Sequence, residues 1–87
     1  MKNKILVTGG AGNIGSALVA KLISETENYV VVVDDLSTGS LSKLPSAKSE
    51  NLKFFKCDVN NYDAIKTIMK EFQFDYVFHF EIGRAHV

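Results

Sequence analysis

The hydrophobic pattern of this chain changes period as it is read. Lys4-Ile5-Leu6-Val7-Thr8 is a short, partly β-branched run that stops at Gly9. Its lack of polar alternation predicts a strand buried on both faces. Over residues 14–23 the spacing lengthens. Ile14, Leu18 and Leu22 recur at i, i+4 and i+8, with Ala17 and Val19 beside them. That predicts a helix with this stripe as its apolar side. A polar break over residues 25–28 precedes Tyr29-Val30-Val31-Val32-Val33, a β-branched run that predicts a second buried strand. Strand, helix and strand within about 30 residues make one right-handed crossover unit.

Residues 34–51 are polar, with Gly39, Pro45 and five serines. They predict irregular chain, with Leu41 and Leu44 able to anchor a short helical turn. Residues 52–57 predict a third strand. Asn60 or Asn61 can cap the helix that follows, and Asp63 in its first turn suits the helix dipole. Ile65, Ile68, Met69 and Phe72 fall at i, i+3, i+4 and i+7 and are expected to face the sheet. Residues 75–80 predict a fourth strand. The whole pattern predicts an α/β fold: a partial Rossmann (doubly wound) parallel sheet of four strands in order 3-2-1-4, with helices on both faces.

Composition narrows the picture. At 87 residues the chain is one small domain at most. Ten basic residues balance ten acidic ones, so no nucleic-acid or membrane-surface footprint is expected. A single cysteine, Cys57, excludes an internal disulfide framework or a cysteine-rich zinc site. It fits a reducing compartment, and a cytoplasmic location is expected. The apolar runs fall well short of the roughly 20 residues that span a bilayer. The early glycines argue against a signal peptide.

The candidate chemistry lies between the first strand and the first helix. Thr8-Gly9-Gly10-Ala11-Gly12-Asn13-Ile14-Gly15-Ser16 contains GxGxxG (Gly10, Gly12, Gly15) and GxxGxxG (Gly9, Gly12, Gly15). A glycine triplet alone is weak, but strand before and helix after is the context a dinucleotide loop requires. A tight turn needs a residue without Cβ, and the backbone must approach a pyrophosphate closely. The last glycine lets helix and strand pack, and free amides at the helix start hold negative charge. Asp34 ends the second strand 19 residues after Gly15, where an acidic residue would accept hydrogen bonds from the adenosine ribose hydroxyls. That carboxylate, with Asp35 beside it, would repel a 2′-phosphate, so NAD is favoured over its phosphorylated form.

Other positions are more open. Asp58 at the end of the third strand could accept from an adenine amino group, with Val59 against the ring, or could serve only as a helix-entry cap. Ser37 and Thr38 could reach ribose or phosphate, though loop hydroxyls mostly meet water. His79 reads as a structural histidine, Cys57 as a packing thiol, and the phenylalanines as core.

Residues 5–16 resemble the start of the extended short-chain dehydrogenases/reductases, and more narrowly the NAD-dependent epimerase/dehydratase family acting on sugar nucleotides. Val33-Asp34-Asp35-Leu36-Ser37-Thr38-Gly39 resembles that family's DNLSTG segment, with Asp35 in place of Asn. Cys57-Asp58-Val59 resembles its GD(I/V) strand end, and Val77-Phe78-His79-Phe80 its VxHxAA strand. Asn13 replaces the commoner aromatic. The resemblance implies phosphate contacts from the backbone of Asn13 and Ile14 within the Gly9, Gly12, Gly15 loop. It implies ribose contacts from Asp34, and adenosine-side contacts from Asp35, Leu36, Ser37, Thr38 and Gly39. Adenine would meet Asp58 and Val59, and Phe80 would lie near the nicotinamide-side ribose. The family's catalytic Ser/Thr and Tyr-x-x-x-Lys pair are implied further downstream, so no catalytic residue and no metal ligand is assigned here.

Glu81-Ile82-Gly83-Arg84-Ala85-His86-Val87 departs from the Ala-Ala that the resemblance implies after Phe80. A common sequencing adapter, AGATCGGAAGAGCACACGTCTGA, preceded by one G, encodes those seven residues and then a stop. Residues 81–87 are therefore expected to be translated adapter, and residues 1–80 the N-terminal part of an NAD(P)-binding Rossmann domain. The function expected is that of an NAD-binding fragment of a sugar-nucleotide epimerase or dehydratase. The full-length protein would take the nucleotide-sugar substrate and form a homodimer, while the 87-residue chain alone would be inactive. The alternative is a non-catalytic nucleotide-binding module.

Overall fold

The computed structural model describes residues 3–25, 27–36, 40–44 and 50–80. Four strands, β1 (Asn3–Thr8), β2 (Asn28–Asp34), β3 (Leu52–Lys56) and β4 (Tyr76–His79), form one sheet in order β3-β2-β1-β4. Every pairing is parallel, with Leu6 opposite Val31 and Val77, and Val33 opposite Phe55. Helix α1 (Asn13–Ile23) joins β1 to β2, and α2 (Tyr62–Phe72) joins β3 to β4. The expected strand order and parallel topology are thus observed. Among the described residues of the polar stretch is a short 3₁₀ turn, Leu41–Lys43, and Leu44 packs against the core.

The two central strands carry the core because they are covered on both faces. Alternation sorts their side chains. Ile5, Val7, Val30 and Val32 pack with Val19 of α1 on one face. Leu6, Val31 and Val33 pack with Ile68 of α2 on the other. Phe72 anchors α2 through rings of three neighbours: Tyr29 at 6.0 Å and Phe74 at 5.6 Å stack on it, and Phe55 meets it edge-on at 6.1 Å. Asn61 caps α2, its side chain accepting from the Ala64 amide at 3.2 Å, which decides between the two candidate asparagines.

Three apolar expectations are corrected. Ile14 is 73% exposed, and the buried side of α1 runs through Gly15 and Val19, with Leu22 and Ile23 packed beside them; Val19 and Leu22 face the core as expected and Ile14 does not. The cause is Gly15, which must sit directly on the loop backbone and so fixes the rotation of the helix. Met69 is 43% exposed because the packed face of α2 centres on Ile65, Ile68 and Phe72. Phe78 and Phe80, expected as core, are each 37% exposed, since among the described residues only β1 flanks β4.

Candidate functional site

In a parallel sheet the loops that follow the strands all emerge at one edge. Here that edge gathers the glycine loop after β1, Asp34 to Leu36 after β2, Cys57 to Val59 after β3 and Phe80 after β4. Backbone bonds lock the gathering: Gly9 N to Val33 O at 2.8 Å, Cys57 N to Asp34 O at 3.1 Å and Phe80 N to Thr8 O at 2.8 Å. The order places β2 on one side of β1 and β4 on the other, so the chain divides at β1. A crevice outside that division is where open α/β sheets bind ligands.

The loop glycines have different physical duties. Gly9 has φ 75°, a left-handed conformation that glycine adopts without strain. Gly10 is buried under Val32, where a Cβ would come within 2.6 Å of Val32 Cγ1. At Gly15 a Cβ would overlap Gly9 O and lie 2.9 Å from Gly10 Cα, so this glycine lets α1 rest on the loop. Gly12 differs. Its φ of −81° suits any residue, and among the described residues a Cβ there would meet only Gly9 O at 3.4 Å. Among the described residues, nothing else fills the space above Gly12.

That space lies at the start of α1. The first amides of a helix have no intrahelical partner, and Gly12, as N-cap, brings no side chain to satisfy them. The Ser16 amide makes the first helical bond, to Gly12 O at 2.9 Å. The amides of Asn13 and Ile14 therefore stand ahead of the hydrogen-bonded turns, with the positive end of the helix dipole. A backbone cradle with donors at its rim fits a diphosphate.

Asp34 is 4% exposed, and its carboxylate is already engaged. Oδ2 accepts from Ala11 N at 2.9 Å and Oδ1 from Leu36 N at 2.7 Å. The carboxylate therefore ties the glycine loop to the chain leaving β2. It also holds Leu36 at φ 64°, an uncommon conformation for that residue. Each oxygen retains acceptor capacity for a hydroxyl donor. Sequence reasoning expected the ribose role but missed the tie to Ala11, because that bond spans 23 residues.

Asp58 turns the chain into α2: Oδ1 accepts from Asn60 N at 2.9 Å and its carbonyl from Asn61 N at 2.9 Å. Val59 packs on the core beside Phe55 and Ile65. Asp35 and Leu36 are half-buried, and Phe80 is 37% exposed. Ser37, Thr38 and Gly39, like residues 81–87, lie outside the described residues. His79 shares a hydrogen bond, through Nδ1, with Thr8 Oγ1, which suits its structural reading.

The sequence contains one Tyr-x-x-x-Lys spacing, Tyr62 to Lys66. The structure puts both residues on the exposed side of α2, with Tyr62 78% exposed.

The profile of the NAD dependent epimerase/dehydratase family matches residues 5–87. The chain belongs to that family. It is 44% identical over 86 residues to the dTDP-glucose 4,6-dehydratase of Shigella flexneri, covering 97% of this chain and 24% of that protein. To the UDP-glucose 4-epimerase of Streptomyces lividans it is 40% identical over 81 residues, covering 92% and 23%. The dTDP-glucose 4,6-dehydratase of Bacillus anthracis, solved in complex with NAD, superposes with a TM-score of 0.88 at 29% identity, covering 95% of this chain and 28% of that one. This member of the epimerase/dehydratase family thus spans about a quarter of the length of the relatives it matches.

Proposed function

We propose that this chain is the NAD-binding part of an enzyme that epimerises or dehydrates a nucleotide sugar. The observation that carries the reading is the open cradle over Gly12, set beside the buried carboxylate of Asp34. The backbone of Gly12, Asn13 and Ile14 would hold the diphosphate, and Asp34 the adenosine ribose. Asp35, Leu36, Ser37, Thr38 and Gly39 would line the adenosine side, with Asp58 and Val59 at adenine and Phe80 toward the nicotinamide ribose. A negative charge at Asp34 opposes a 2′-phosphate and favours NAD. When bound, NAD supplies a hydride acceptor for a sugar carbon and later returns the hydride. The residues of this segment bind and orient; the acid–base groups of the reaction belong to the rest of the enzyme. Likeness to a UDP-glucose epimerase and a dTDP-glucose dehydratase supports the substrate class. The lone cysteine supports a cytoplasmic setting, and the family resemblance supports a homodimer.

The test is to purify the intact gene product, assay its NAD content and affinity, and offer UDP- and dTDP-hexoses. Failure to bind NAD overturns the reading. NAD binding with no turnover of any nucleotide sugar favours the non-catalytic nucleotide-binding module instead. Genomic sequence past codon 80 decides whether residues 81–87 are native or adapter.

A further inference from the structure

The 3₁₀ turn Leu41–Lys43 folds back onto the glycine loop. Two bonds fix it there: Ser40 N donates to Ala11 O at 3.0 Å, and Lys43 Nζ donates to Asn13 Oδ1 at 2.7 Å. The second bond joins residues 30 apart and seats an ammonium group at the first residue of α1. Among the described residues, Lys43 is the cation hydrogen-bonded to this loop. Among the described residues, the chain leaving β2 carries the carboxylates of Asp34 and Asp35, which oppose an anionic ligand.

We propose that Lys43 is a cofactor-binding residue, a cation that the β2–β3 connection brings to the diphosphate end of the glycine loop, with Asn13 as its seat. This rests on the NAD-binding reading above. The amides of Asn13 and Ile14 offer partial charges, while a diphosphate carries full ones. Lys43 supplies a whole positive charge within the reach of one short side chain from those amides. Asn13 fixes the ammonium without neutralising it, because an amide oxygen accepts a hydrogen bond but carries no net charge. A carboxylate at position 13 would cancel it.

Titrations with NAD and with ADP-ribose, on the intact protein and its variants, test this at low and high ionic strength. A surface-level charge near a phosphate predicts about threefold to tenfold weaker binding for Lys43→Gln at low salt, shrinking at high salt. Lys43→Arg should bind within about twofold of wild type, and Asn13→Asp should weaken binding as Lys43→Gln does. Lys43→Gln keeps a donor for Asn13 Oδ1, so a merely structural latch predicts unchanged affinity for it. That result, or a loss that does not depend on salt, overturns the proposal. If wild type binds neither ligand, it is the NAD reading that fails. If wild type binds and Lys43→Gln matches it at both salts, the Lys43 assignment alone fails.

Discussion

Gly12→Ala separates the two reasons for which a loop keeps its glycines. At this position the backbone is extended, with φ −81° and ψ −179°, and a Cβ meets Gly9 O at an ordinary 3.4 Å. Replacing glycine by alanine at a helix N-cap costs about 0.5–1 kcal/mol. Restricting the unfolded chain returns about 0.4–1 kcal/mol. The two nearly cancel, so the folded protein should keep its melting temperature within a few degrees. Binding should not survive so well. The methyl group would occupy the space where a diphosphate must approach bare backbone. Losing one charge-assisted hydrogen bond costs about 1.5–3 kcal/mol, or roughly tenfold to a hundredfold in affinity. Gly15→Ala is the control. Its Cβ would overlap Gly9 O and crowd Gly10 Cα, both backbone atoms that cannot swing aside. It should destabilise the protein by about 1–3 kcal/mol or more. Differential scanning fluorimetry and calorimetric NAD titration of both variants suffice. A Gly12→Ala protein that melts normally and binds NAD with wild-type affinity would refute the argument.

Two further outcomes follow from the same geometry. Asp34→Asn keeps the shape but offers one acceptor oxygen to two backbone donors, Ala11 N and Leu36 N. It should lower stability by about 1–3 kcal/mol in urea melts, as expected for a buried donor left unmet, and should weaken NAD binding as well. Asn61→Ala removes the cap on α2 and should cost about 1 kcal/mol by the same melts.

Much of this fold was legible in the sequence because the determinants are local. Runs such as Val30 to Val33 cannot sit comfortably in a helix and are too apolar for an exposed strand, so they specify central parallel strands. The glycine spacing against a strand end likewise announced the loop. The rotation of α1 was not legible. Ile14 and Leu18 make as good a stripe as Gly15 and Val19 until the contact of Gly15 with Gly9 and Gly10 is known.

The sequence by itself determined the elements, their order and the presence of a phosphate-type loop, since propensity, period and glycine placement act over a few residues. Only the tertiary structure decided how the glycines divide their work, which two amides the Asp34 carboxylate holds, and that Lys43 reaches Asn13. Those facts depend on atoms 23 and 30 residues apart being brought within hydrogen-bond distance. Packing of the sheet edge sets such distances, and no local pattern of side chains encodes them.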